Sequence, residues 1–318
     1  MIYLLLLILS LFLTYYIKKF AIKKSIMDIP NDRSSHSIPT PRGGGLAIIT
    51  TFYVGIVYLY FIDEISPKLF FLLLTSIPIL VISLIDDIIT LSSKIRFLVQ
   101  LFCAVLAIYV LGGINSIDFQ VFQLNGWWLN VIVVISIVWV TNLYNFLDGI
   151  DGYAASQAIV AGLGSFLILG NIVGLILAIC SLGFLFFNWP KASIFMGDVG
   201  SATLGFLFAV LCFHDTSNGN IYVWLILLSL FWFDATLTLL RRLKNKEKLT
   251  EAHKKHAYQR LVQFGFSHKR VTISFILINS LFILLLYTFP SSLYMFLFLF
   301  IIIFLVILVK LIDKKKAF

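Results

Sequence analysis

Long apolar runs decide what this chain can fold into. About eleven of them fill most of the 318 residues, at 1–17, 45–62, 68–86, 97–112, 127–143, 154–170, 172–187, 200–213, 221–240, 271–289 and 292–312. A helix that crosses a bilayer needs ~20 apolar residues, and runs that are continuous rather than alternating argue against a β-barrel. Only Gly170 and Asn171 part the halves of 154–187, so that pair can also be drawn otherwise. A mean hydropathy of +1.01 with 12% charged residues goes beyond what a soluble core requires. The expected fold is all-α: a polytopic transmembrane helical bundle of about 11 spans, forming one integral membrane domain over residues 1–318.

The basic residues orient this bundle. With the N-terminus outside and the spans alternating, every one of the 24 Lys and Arg except Lys68 falls on one side, Arg33 and Arg42 among them. Positive charge retained on the cytoplasmic side gives an N-terminus outside and a C-terminus in the cytoplasm, hence an odd number of spans. Topology and anionic head groups then account for the net charge of +9, with no nucleic acid partner implied. The first run lacks a basic lead and is followed by lysines, the pattern of a retained anchor. Cys103, Cys180 and Cys212 lie within apolar runs without paired spacing, so they are packing residues rather than a disulfide or zinc framework.

The outer loops are short and carry only Asp63, Glu64, Asp118 and Asp215 among acids, with His214 beside them. Five inner segments hold the chemistry: 27–45, 86–96, 142–152, 188–201 and 241–270. Desolvating a carboxylate near lipid is costly, yet acids recur here at one depth. Asp86 and Asp87 end the third run, Asp148 and Asp151 lie between the fifth and sixth, and Asp198 opens the eighth. Adjacent acids at a membrane boundary can also be plain interfacial residues. Asp234 sits about two turns deeper, where it could simply pair with a nearby base.

Asn142, Asn145, Asp148 and Asp151 recur every third residue. Neighbours three apart on a helix are offset by roughly 60°, so the whole row would sweep about half the circumference. Gly149 and Gly152 make a straight helix doubtful, and a broken helix end would let the row converge on one ligand. Two caps and a turn would be the plainer reading. Oxygen-only donors suit Mg²⁺, with Mn²⁺ as a substitute, and Mg²⁺ at a membrane surface usually accompanies phosphates. "HKKHAYQR" supplies the complementary charge, with His253, Lys254, Lys255, His256 and Arg260 within eight residues. A juxtamembrane polybasic patch would explain its lysines but not its histidines. "RGGG" at 42–45 permits close helix packing or close backbone approach to a ligand, and the glycines around Asp198 free the backbone to present that carboxylate.

The segments "SSHSIPTPRGGGLA", "LIDDIITLSSKIRFLVQ", "NLYNFLDGIDG", "NWPKASIFMGDVGSATLGF" and "HKKHAYQRL" occur in the order seen in the polyprenyl-phosphate N-acetylhexosamine-1-phosphate transferases, glycosyltransferase family 4, which this chain resembles from residue 28 to about 265. The resemblance implies a Mg²⁺-dependent transfer of a sugar 1-phosphate from a UDP-N-acetylhexosamine to undecaprenyl phosphate, releasing UMP, on the cytoplasmic face of a bacterial inner membrane. By similarity Asp198 is the metal ligand, with Asp87 a second candidate, and Asp86 and Asp87 stand at the lipid-phosphate and diphosphate site. Asn145, Asp151, Asn188 and Phe195 match nucleotide positions, and His256 matches the histidine motif. The loop "HKKHAYQ" lacks three consecutive histidines, and "SHSIPTPRGGG" lacks the lysines of the peptidoglycan translocase branch. Both departures favour the branch that starts O-antigen, lipopolysaccharide or capsule chains, including those built on 6-deoxy aminosugars. A homodimer is compatible with this reading.

An anionic phosphate must attack an anionic diphosphate, and two unit charges 4 Å apart repel by about 4 kcal/mol near a protein surface. Positioning and charge neutralisation therefore dominate, through Mg²⁺, His256, Arg260 and Lys255, with Asp148 and His253 beside them. The acids at 86 and 87 serve either to orient the acceptor for direct attack or to form a covalent intermediate, and we favour direct attack with Asp87 as orienter. Two rivals remain. A Mg²⁺-dependent prenyltransferase would space its acids by four rather than three, and a lipid or ion transporter would place them at the midplane.

Overall fold

The computed structural model describes residues 1–30, 36, 38–216, 221–249 and 253–318. Arg33, Ser34, Ser35 and Ser37, which figured in the orientation and the resemblance above, lie outside the described residues. The chain is mostly helical. Its first half holds α1 (Ile2–Lys23), α2 (Gly45–Phe61), α3 (Pro67–Leu74), α4 (Ile77–Ile88), α5 (Ser93–Leu111) and α6 (Leu129–Phe146). The second half holds α7 (Tyr153–Leu169), α8 (Ile172–Asn188), α9 (Asp198–Thr216), α10 (Ile221–Leu227), α11 (Ser229–Lys244), α12 (Ala257–Gln263), α13 (His268–Thr288) and α14 (Tyr294–Lys315).

Every apolar run of the sequence falls on one of these helices or on a helix pair. Seven segments are long and apolar enough to cross a membrane, or eight if α10 and α11 form one broken span. Three of the expected spans, α2, α7 and α8, are apolar but only 17 residues long each. The architecture is thus a multi-pass helical membrane protein with seven or eight spans that meet the length requirement.

Two helices break inside their apolar runs. Between α3 and α4, Pro78 brings no N–H, and the hydroxyls of Thr75 and Ser76 turn back onto the carbonyls of Leu72 and Leu73 at 2.6 and 2.5 Å. Between α10 and α11 the axis bends by 73°. Carbonyls freed there are satisfied from outside the helix, because Gln157 Nε2 donates to Leu227 O at 2.9 Å and Trp232 Nε1 to Leu225 O at 2.8 Å. Lipid offers no such donors, so a buried break must find them in protein.

Helix α9 lies at the centre, buried along most of its length, and packs on α2, α4 and α6. Close approach rests on small residues. A Cβ on Gly45 would collide with the backbone of Gly200, so α2 and α9 meet almost backbone to backbone. Two short antiparallel pairs complete the fold. β1 (Met27–Asp28) pairs with β2 (Thr40–Pro41), in register Met27 with Pro41, and β3 (Ser116–Asp118) pairs with β4 (Gln123–Asn125).

Candidate active site

The first turn of any helix leaves backbone N–H groups without partners, and the macrodipole makes that end positive. At α9 this need is met by a side chain from another helix. Asp87, at the end of α4, accepts from the N–H of Asp198 through Oδ1 and from the N–H of Val199 through Oδ2, each at 3.1 Å. Gly197 makes the approach feasible: its φ is +74°, and a Cβ there would lie 2.5 Å from Asp87 Oδ2. Residues 195–197 are anchored in turn, since Gly44 N donates to Phe195 O at 2.9 Å and Gly45 N to Met196 O at 2.8 Å. The glycine run at 43–45 thus serves backbone approach and helix packing together.

Adjacent helical residues point about 100° apart, so Asp86 faces elsewhere. Its Oδ1 accepts from Leu91 N at 2.5 Å and its Oδ2 from Arg96 Nη1 at 2.8 Å. The same Arg96 nitrogen, carried on the first turn of α5, lies 2.5 Å from Asp198 Oδ2. Asn145 Nδ2 also donates to that oxygen at 3.1 Å, while Ser201 Oγ donates to Asn145 Oδ1 at 3.0 Å. Three of the expected residues, Asp86, Asn145 and Asp198, therefore share one hydrogen-bonded cluster from α4, α6 and α9, with Asp87 directly behind it.

The row at 142–151 is not one helix. α6 ends at Phe146 and α7 begins at Tyr153, with a glycine-containing turn between. Asn142 turns away to Gln100 Oε1 at 2.6 Å. Asp148, half-buried in the turn, has no side-chain hydrogen bond among the described residues. Burial, then the carboxylates of Asp198, Asp87, Asp151 and Asp28, push its carboxyl up to about 8. Asp151 Oδ2 accepts from Ala192 N at 3.2 Å and lies 3.2 Å from His268 Nδ1. Asn188 bridges the two segments, accepting from Gly152 N at 3.0 Å and donating to Ile194 O at 2.9 Å. Phe195 is half-buried, its ring edge-on to His36 at 4.8 Å.

The basic segment divides. The rings of His253 and His256 lie 4.9 Å apart, tilted by 44°, and line one cavity of about 950 Å³ with Lys94, Arg96 and Asn142, walled on its apolar side by Phe97, Val138 and Trp139. Burial, then the neighbouring His256, hold the His253 imidazole down to about 4. Lys255 Nζ pairs instead with Glu247 at 2.5 Å. Arg260 is buried and bound to Asp313 of α14 and to Lys316 O, so its guanidinium does not line that cavity. Among the described residues Asp234 partners no arginine. Both its oxygens accept from Ala257 N at 2.9 Å, capping α12, and His256 Nδ1 lies 3.7 Å away.

Arg96, His268 and Asp313 were not singled out from the sequence. Arg96 stands in the segment "LIDDIITLSSKIRFLVQ", ten residues from Asp86, which was the available signal. Among the described residues no three His, Cys, Asp or Glu side chains gather into a metal site. The donors nonetheless suit Mg²⁺, which binds through one or two carboxylates and completes its shell with substrate phosphates and water. Asp148 is the fitting second acid, because its carboxyl has no competing hydrogen bond among the described residues and a bound cation would offset the burial and the neighbouring carboxylates that disfavour its charge.

Comparison with known proteins agrees. Residues 69–214 match the profile of glycosyl transferase family 4. A Bacillus subtilis protein named as a probable undecaprenyl-phosphate N-acetylglucosaminyl 1-phosphate transferase is 32% identical over 290 residues, covering 86% of this chain and 79% of its own length. The decaprenyl-phosphate N-acetylglucosaminephosphotransferase of Mycobacterium tuberculosis is 29% identical over 318 residues, covering 84% and 76%. The undecaprenyl-phosphate alpha-N-acetylglucosaminyl 1-phosphate transferase of Thermotoga maritima is 29% identical over 260 residues, covering 80% of each chain.

Proposed function

The chain belongs to glycosyl transferase family 4, and from that membership we propose that it transfers an N-acetylhexosamine 1-phosphate from a UDP-sugar to undecaprenyl phosphate, giving undecaprenyl-diphospho-sugar and UMP. The observation that carries the proposal is Arg96 joining Asp86 and Asp198, two acids over a hundred residues apart, beside a cavity that also holds His253 and His256. A polar end and an apolar wall in one cavity suit a phosphate on a prenyl chain.

Asp198, with Asp148, would hold Mg²⁺, which when bound neutralises charge on the donor diphosphate. Asp87 is a positioning residue: with both oxygens engaged by α9 it fixes Asp198, so orientation of the acceptor phosphate passes to Arg96 and Asp86. His256 and Arg96 offset the charge that builds up as the acceptor oxygen attacks and UMP departs. Asn145, Asp151, Asn188 and Phe195 frame the nucleotide, the first through Asp198 and the next two through the turn at 147–152. Arg260 and Lys255 act through the fold of the basic segment, since Asp313 and Glu247 already engage them.

The eleven apolar runs are read as eleven crossings of one membrane domain, with the site on the cytoplasmic face, where the basic residues collect. Initiation of a surface polysaccharide is favoured by the histidine loop, and relatives named for N-acetylglucosaminyl transfer favour N-acetylglucosamine as the sugar. The test uses purified protein, undecaprenyl phosphate, Mg²⁺ and a panel of UDP-N-acetylhexosamines that includes 6-deoxy forms. UMP release that needs both lipid phosphate and Mg²⁺, and that Asp198→Asn abolishes at any Mg²⁺ concentration, supports the proposal. UMP release without lipid phosphate, or full activity in Asp198→Asn, overturns it.

A further inference from the structure

A second cavity, of about 570 Å³, lies among α11, α12, α13 and α14. It uses the other face of α12: Ala257, Tyr258 and Leu261 line it, whereas His256 and Gln259 line the cavity of the candidate site. Its walls are almost wholly apolar, with Phe233, Phe275, Ile278 and Leu308 prominent, and Leu311 and Ile273 on its rim are exposed on helices long enough to cross a membrane. Two cations stand among the lining residues, Arg270 and Lys315, both exposed.

Neither cation has a carboxylate partner among the described residues. Lys315 Nζ instead lies over the rings of Phe264 and Phe266, at 5.1 and 5.6 Å. Arg270 occupies the first turn of α13, together with His268 and Lys269 and with no acid. That end of a helix favours negative charge, and the Asp151 carboxylate there lies against His268, so Arg270 and Lys269 are left without an anion among the described residues. Among the described residues Asp234 is the one acid lining the cavity, and both its oxygens accept from Ala257 N.

We propose that this cavity is a binding site for an anionic glycerophospholipid, its phosphodiester between Arg270 and Lys315 and one acyl chain within the apolar cavity. An apolar hole under a pair of unneutralised cations matches an amphiphile with a negative head. The prenyl acceptor fits less well, because its phosphate must reach Asp86, Arg96 and Asp198, and none of these lines the cavity.

The full-length protein in phosphatidylcholine nanodiscs, doped with phosphatidylglycerol carrying a photoreactive acyl chain, tests this. Labelling should map to α11, α13 and α14 and exceed that by photoreactive phosphatidylcholine. Arg270→Gln with Lys315→Gln should cut that excess by about tenfold or more. Because both residues are exposed, the variant should keep its melting temperature. Ser274→Trp, which fills the cavity, should remove labelling by both lipids. Equal labelling by the two lipids, an excess that survives the double substitution, or displacement of the label by undecaprenyl phosphate would each overturn the assignment.

Discussion

Gly197 offers a sharp perturbation of the acidic cluster, because an alanine there meets two obstacles that can be separated. The first is conformational: φ is +74°, and a residue with a Cβ loses about 1–2 kcal/mol in that region. The second is steric: the added carbon would lie 2.5 Å from Asp87 Oδ2 and 2.9 Å from Oδ1. Asp87 must then withdraw from the N–H groups of Asp198 and Val199, losing a helix cap made of two charge-assisted bonds, together about 2–3 kcal/mol. Gly43→Ala is the control. Its φ is +94°, but a Cβ there meets nothing within 4 Å, so only the conformational loss applies. UMP release by the two purified variants should therefore differ by the steric part alone. If Asp198 must stay capped to work, Gly197→Ala falls about 30- to 150-fold below Gly43→Ala, since each 1.36 kcal/mol is a factor of ten. Thermal melting should separate them by a few degrees in the same order. Equal activity in the two variants would refute the role assigned to Asp87.

His256→Ala should lower kcat by at least ~10²-fold with little change in KM for the UDP-sugar; a fall under threefold would return the segment to a plain polybasic patch. His253 titrates at about 4 in the folded protein against an ordinary 6.5, so the stability tied to its neutral form is present above about pH 6.5 and is lost as pH falls toward 4. His253→Gln should flatten the decline in melting temperature over that window, and parallel curves for the two proteins would contradict this. Asp313→Asn leaves the buried Arg260 and the neighbouring Arg241 without a carboxylate. The expected loss is about 2–3 kcal/mol, below that of a fully buried pair because Asp313 is partly exposed. Adding Arg260→Gln should cost less than the sum of the two changes in a melting-curve double-mutant cycle.

The helices were legible because lipid enforces long apolar runs, and a run of leucines and phenylalanines leaves little freedom in reading. The break at 147–152 was legible too, through Gly149 and Gly152. What escaped was partnership. A basic residue at a helix end looks the same whether it meets lipid, solvent or an acid a hundred positions away, so nothing local told Arg96 apart from Lys94. Arg260, placed by composition in a phosphate cradle, is turned by packing toward Asp313, whose own helix reads as a plain apolar span with a charged tail. Asp234 was open to pairing with a nearby base, and His256 does lie 3.7 Å from it, yet the N–H at the start of α12 is what both its oxygens accept from. Asp151 was legible as an acid of interest, but His268, which lies against it, was one base among many.

The division of labour between Asp86 and Asp87 bears on how genomes are read. One aspartate of the pair serves a helix terminus, a need that persists in any descendant keeping α9 where it is, whether or not that descendant still turns over substrate. The other faces a guanidinium whose value depends on ligands. A degenerate copy should thus shed Asp86 or Arg96 long before Asp87, and an intact residue at the second position is a sign of preserved architecture rather than of a living enzyme.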